Sequence, residues 1–147
     1  MPRTALAAAL PLLALGACSG GGGGAKQAAD LVAQLPAPYN MGDFDAGKQV
    51  FLQCSACHST AKDGPDMTGP NLFGVFGRKA GTKPGFAYSA PMQAAGWTWD
   101  APRIDHWVAG PAAVLPGTKM TFVGVMDPTQ RRDLIAYLKV ATSGGPN

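Results

Sequence analysis

The sequence predicts an all-α domain, in which a few helices joined by long irregular loops close around one large apolar group. Three observations predict it. Three segments carry apolar residues at helical spacing behind good capping residues. Gly 20 and Pro 13 in 147 residues predict that loops and turns carry much of the remaining architecture. Residues 65–99 are rich in both and show no sustained period, a stretch too long for a compact domain unless something other than secondary structure supplies its core. The length suits one domain and not two.

From the N-terminus, residues 1–17 read as an export signal. Arg3 supplies the positive charge, and Ala5 to Ala17 is an apolar run too short to span a membrane that ends in small residues. Leu15-Gly16-Ala17-Cys18 resembles the lipobox of bacterial lipoproteins, in which the cysteine is lipidated and becomes the new N-terminus. That accounts for the odd member of three cysteines, since a free exposed thiol is a liability in an oxidising compartment. The alternative is cleavage near Gly16 or Ala17, leaving a soluble periplasmic protein. Residues 18–42 are expected to be the lipidated cysteine and a flexible tether. Gly20–Gly24 is flexible, Ala25–Leu35 has room for a turn or two of helix, and Pro36-Ala37-Pro38 stops it. The 24 residues from Ser19 to Gly42 would reach about 27 Å.

The folded domain is expected over residues 43–147. Its first helix begins at the cap Asp43, with Phe44, Gly47, Val50 and Phe51 at helical spacing. The second follows Asp100, carries Pro102 in its first turn and the stripe Ile104, Trp107, Val108, and ends at Gly110-Pro111. The third starts at Asp127-Pro128-Thr129-Gln130, a capping-box pattern, and continues through Leu134, Ile135, Leu138 and Ala141.

Cys54-Ser55-Ala56-Cys57-His58 is the attachment signature of c-type haem. Two thiols three positions apart at a helix end can reach both vinyl groups of a porphyrin, and the adjacent imidazole then sits beneath the iron. A thioredoxin-like pair would want an alternating strand–helix pattern around the motif, which is absent. A zinc site would want a second ligand pair, but the other Cys and His are Cys18 and His106 alone. A structural disulfide is the third alternative. Candidates for a sixth iron ligand are His106, Met67, Met92, Met120 and Met126. His106 falls on the polar side of its helix, and Met120 falls in the rigid turn Leu115-Pro116-Gly117-Thr118-Lys119.

The stretch from Gly42 to Thr142 resembles a class I cytochrome c of the mitochondrial or short bacterial type. Gly47 and Phe51, the haem motif, Gly69-Pro70-Asn71-Leu72, Phe76-Gly77-Arg78-Lys79 and Pro84-Gly85-Phe86-Ala87-Tyr88 all fit the pattern. So do Gly96, Thr98-Trp99, Pro116-Gly117-Thr118-Lys119-Met120, Phe122-Val123-Gly124, and Arg131 with Asp133–Leu138. The resemblance implies one haem c, bound covalently through Cys54 and Cys57, with His58 and Met120 as axial ligands. The Pro70 carbonyl would accept the other imidazole N–H. Tyr88, Trp99 and Thr118 would bond the propionates and Arg78 would offset their charge, while Cys54, Ala56 and Phe122 would flank the exposed haem edge. Gly47 would let the first and last helices cross near Tyr137. Met92 and Trp107 depart from the family's usual asparagine and tyrosine, and Val125-Met126-Asp127 lacks its usual lysines.

The function implied is single-electron carriage, without enzymatic turnover, in a respiratory or photosynthetic chain. The partners would be a quinol–cytochrome c oxidoreductase and a terminal oxidase, met by a monomer held on a membrane through Cys18. The alternative is a haem electron-input module or subunit of a periplasmic oxidoreductase complex; a ligand-binding or peroxidatic haem fits poorly with a complete Met120 loop. A net charge of +3 excludes the basic surface of a nucleic-acid binder. From residue 43 there are ten Lys and Arg against eight Asp, and two propionates bring the domain near neutrality, so docking should lean little on a lysine ring.

Overall fold

The computed structural model describes residue 1 and residues 22–145; the export signal and Cys18 lie outside the described residues. Six helices follow in order: α1 Gly22–Val32, α2 Phe44–Phe51, α3 Ala90–Ala94, α4 Ala101–Ala109, α5 Pro111–Val114 and α6 Pro128–Ala141, with a 3-10 turn at Tyr39–Met41. No strand occurs among the described residues, where one isolated bridge, Lys79 with Thr98, closes a loop. The fold class is the all-α one that the sequence predicts.

Each expected helix starts where its aspartate places it. Asp43 accepts from the Ala46 N–H at 2.8 Å, Asp100 from Arg103 at 2.7 Å and Asp127 from Thr129 at 2.7 Å. Helix α4 ends at Gly110, but Pro111 opens α5 rather than only closing its predecessor, since proline suits a first helical position.

The frame is the crossing of α2 with α6. A Cβ on Gly47 would fall on the Asp133 carbonyl oxygen and lie 2.9 Å from the Tyr137 Cβ, so only glycine permits this approach. Phe44 and Phe51 flank the Tyr137 ring at 5.4 and 5.1 Å. The core continues through Leu134, Ile135 and Leu138 of α6 into Ile104, Trp107 and Val108 of α4, and on to Val75, Ala80 and Met92 from the loops.

The segment expected as a flexible tether differs. From Gly22 onward it is ordered: α1 buries Ala28 and Val32 against Ala136 and Val140 of α6, with Leu31 and Phe44 beside them. Three glycines open this helix, each costing about 1 kcal/mol relative to alanine, so packing on α6 and not propensity stabilises it. Leu35 and Tyr39 then enter the main core.

Candidate functional site

Helix α2 delivers the Cys54–His58 motif. The chain continues past α2 in hydrogen-bonded turns, Ser55 N–H to the Phe51 carbonyl at 3.0 Å and His58 N–H to the Cys54 carbonyl at 2.9 Å. Cys54 and Cys57 stand free, Cys54 half-buried and Cys57 exposed. Burial, then the neighbouring Cys57, pushes the Cys54 thiol up to about 11. A thiol so hard to ionise is the opposite of a redox-active CXXC nucleophile. No group of three His, Cys, Asp or Glu suited to a metal ion exists among the described residues, which leaves the zinc alternative without ligands.

His58 is fixed from two sides. Its Nδ1 lies 2.7 Å from the Pro70 carbonyl oxygen. A carbonyl can only accept, so Nδ1 carries the proton and Nε2 keeps its lone pair for a metal. Burial holds the imidazole below its ordinary value against the opposing pull of that carbonyl, which favours the neutral, coordinating form. A Cβ on Gly69 would overlap the imidazole ring, so the backbone there lies flat against it. The loop behind is tied by Asn71, a buried hub whose amide donates to Ser59 Oγ at 2.6 Å and to the Ala61 carbonyl at 3.0 Å. Lys83 pairs with Asp66 at 2.8 Å, and Asp66 receives the Asn71 N–H at 2.7 Å.

The Met120 loop is held at several points. Gly117, at φ +84°, makes the turn that lets the Thr118 N–H reach the Leu115 carbonyl. Thr118 Oγ1 accepts from the Met120 N–H at 3.2 Å, and Lys119 Nζ donates to the Ala87 carbonyl at 2.8 Å. The Val125 N–H donates to Val108 at 2.8 Å, anchoring the loop to α4. Met120 is half-buried against the core, whereas Met67 and Met126 are exposed, Met92 is buried, and His106 is exposed in the last turn of α4.

Among the other expected residues, Tyr88 and Trp99 are half-buried against the core, and burial raises the Tyr88 phenol. Trp99 is joined to the Arg78 segment by its N–H to the Arg78 carbonyl at 2.9 Å. The Arg78 guanidinium itself donates to the carbonyls of Phe73 and Asn71, tying it to the His58 side of the site. Phe122 is half-buried. Among the described residues, two buried side-chain polar atoms have no partner, Ser89 Oγ and Trp97 Nε1.

A family model of cytochrome c matches residues 44–142. The chain belongs to the cytochrome c family. Among curated relatives, cytochrome c2 of Rhodomicrobium vannielii is 46% identical over 100 residues, covering 68% of this chain and 80% of that protein. Cytochrome c2 of Blastochloris viridis is 42% identical over 115 residues, covering 78% and 91%. Among solved structures, cytochrome cH from Methylobacterium extorquens superposes with TM-score 0.62 at 44% identity, covering 67% of this chain and 98% of that one.

Membership establishes a single covalent haem c, with Cys54 and Cys57 in the CXXCH attachment pattern, and an electron-transfer protein rather than an enzyme. The site fits that group. It presents two thiols, a neutral imidazole with a free Nε2, and, beside Tyr88 and Trp99, two buried donors that lack an acceptor. A buried donor left unmatched costs about 1–3 kcal/mol, and a carboxylate such as a haem propionate is the kind of acceptor that such a donor would take. The sequence reading passed over Ser89 and Trp97. Their only signal was position, each within two residues of an expected propionate donor.

Proposed function

We propose that this cytochrome c carries electrons on a bacterial membrane facing the periplasm, with its iron bound by His58 and Met120 and its N-terminus anchored by a lipid on Cys18. The observation that supports the axial assignment is the His58 Nδ1 to Pro70 contact, which leaves the Nε2 lone pair free for a metal. The Met120 loop is the complementary half, a thioether on a turn tied by Thr118, Lys119 and Val125. When bound, the haem supplies a one-electron iron couple, and a thioether ligand favours its reduced form.

The remaining residues hold and shield. Tyr88, Ser89, Trp97, Trp99 and Thr118 would receive the propionates. Trp97, Trp99 and Trp107 meet edge-on or tilted, 5.6–6.4 Å apart, and Trp107 and Met92 are buried apolar side chains where the resemblance expects a tyrosine and an asparagine. Filling both axial positions leaves no open site for a substrate. Electron entry and exit would use the edge flanked by Cys54, Ala56 and Phe122, between a quinol–cytochrome c oxidoreductase and a terminal oxidase. A seat as a haem module of a periplasmic oxidoreductase complex draws support from one feature, an uncharged groove lined by Gly110, Ala112, Ala113 and Met120–Val123.

The test of ligation is the holoprotein's ferric sulfur-to-iron charge-transfer band. Wild type should show it, and Met120→Ala should lose it together with a fall in midpoint potential. A Met120→Ala holoprotein with band and potential unchanged would sink the assignment. Gel filtration at native expression levels separates the carrier, expected as a monomer, from a resident subunit.

A further inference from the structure

Tyr39 precedes residues 44–142, which the family model matches, yet its ring is buried in the main core. It opens the 3-10 turn Tyr39–Met41. That turn leads straight onto α6, where a Cβ on Gly42 would lie 2.7 Å from the Ala136 Cβ and 2.8 Å from the Arg132 carbonyl oxygen. The Tyr39 hydroxyl donates to Asp105 Oδ2 of α4 at 3.1 Å. The other oxygen of that carboxylate accepts from Arg131 Nε of α6 at 2.6 Å. Three segments far apart in the chain thus meet at one carboxylate.

Arg131 carries the connection to the Met120 loop. Its Nη1 donates to the carbonyls of Val125 at 3.0 Å and Met126 at 2.8 Å. The same stretch is held by α4 from its other side. The Val125 N–H donates to the Val108 carbonyl at 2.8 Å, and a Cβ on Gly124 would fall on the Ala109 carbonyl oxygen. Arg131 therefore grips the outgoing end of the loop that presents Met120.

What fixes Arg131 is the orientation of Asp105. The last torsion of an aspartate is broad, and a single ion pair at a partly exposed site holds it weakly. A second hydrogen bond, from a ring whose own torsions are set by core packing, sets the plane of the carboxylate. The rigid guanidinium fork, seated by its Nε on that carboxylate, then has its Nη1 aimed at the two carbonyls.

We infer that Tyr39 is a positioning residue for the sixth iron ligand, acting through Asp105 and Arg131 to clamp the Val125–Met126 end of the Met120 loop. The consequence at the iron rests on the reading of Met120 as a ligand; the clamp rests on the contacts alone. A tyrosine that only fastened the N-terminal segment would leave the loop unchanged when its hydroxyl is removed.

Imidazole entry at the ferric iron of the full-length holoprotein tests the consequence, since imidazole must wait for the Met120 loop to open. Tyr39→Phe keeps the ring and should speed entry about fivefold, the size of a coupling between neighbouring groups of one network. Asp105→Ala should do at least as much, and adding Tyr39→Phe to it should change little further. Val32→Ala, which loosens α1 on α6 without touching these contacts, should leave the rate near wild type. Hydrogen exchange tests the clamp: Tyr39→Phe should speed exchange of the Val125 amide more than that of the Leu138 amide within α6. Equal acceleration at both amides, or none, overturns the clamp. An unchanged imidazole rate in Tyr39→Phe, an equal effect of Val32→Ala, or additive effects of Tyr39→Phe and Asp105→Ala overturns the positioning role. A wild type without the sulfur-to-iron band overturns the Met120 reading and the role at the iron with it, and leaves the clamp to the exchange data.

Discussion

Ser89 buries a hydroxyl that finds no acceptor in the protein, and the sign of its replacement decides what that hydroxyl is for. If a propionate accepts from it, Ser89→Ala should destabilise the holoprotein by about 1.5–3 kcal/mol, the range for a hydrogen bond to a charged partner. If nothing does, alanine should be neutral or stabilising, because a desolvated orphan has been removed. Guanidinium unfolding of the two holoproteins gives the sign directly. Gly69 acts on the other face. Gly69→Ala would place a methyl on the His58 ring, and the ring must move away from the Pro70 carbonyl. A loss of about 1–3 kcal/mol, typical of overpacking, is expected together with an altered haem absorption spectrum. An unchanged spectrum would mean that the backbone there yields easily.

At the scale of elements, the α2–α6 crossing and the packing of the Gly22–Tyr39 segment on α6 were unequally legible in the sequence. Asp43, Asp100 and Asp127 act within three residues of themselves, so a local reading finds the caps and the helices behind them. Gly47 was legible only through the resemblance, since a helical glycine looks like a defect until Asp133 and Tyr137 are placed against it. The Gly22–Tyr39 segment carries glycines and prolines that signal looseness, while what orders α1 is contact with Ala136 and Val140, more than a hundred residues away. Helix α3, five residues long, offers too few turns to show a period. Tyr39 at the end of that segment also carries a pH signature. Burial first, then the Asp105 charge, pushes the Tyr39 phenol up to about 12 from an ordinary value near 10. A folded value raised in this way contributes stability that is fully present below pH 10 and is lost as pH rises from 10 through 12. Unfolding curves for wild type should weaken across that window, and Tyr39→Phe should flatten the difference.

Most of the cations in the described residues already have a partner within the chain. Lys26, Lys83, Arg131 and Arg132 are paired with aspartates. Arg78 and Lys119 donate to carbonyls, Arg103 lies 4.9 Å over the Trp97 ring, and Lys139 lies 5.6 Å over Phe76. Among the described residues this leaves Lys48, Lys62 and Lys79 without such partners, too few for a steering field. The groove over Met120, by contrast, is uncharged, and Val123 on its rim is 84% exposed, which extends the apolar lining of the groove to the surface. Association driven by such a surface is held by desolvation, which salt screens little, whereas charge-steered encounter falls steeply with ionic strength. The second-order rate of electron transfer to the terminal oxidase proposed as its partner is therefore expected to change less than about threefold between low and physiological salt, against the tenfold or more of a steered pair. Val123→Glu sharpens the test. At so exposed a position it should leave stability within about 0.5 kcal/mol of wild type, yet slow the reaction by desolvating a carboxylate at the contact. A steep salt dependence in the wild type, with Val123→Glu indistinguishable from it, would move the docking surface off the groove and onto Lys48, Lys62 and Lys79.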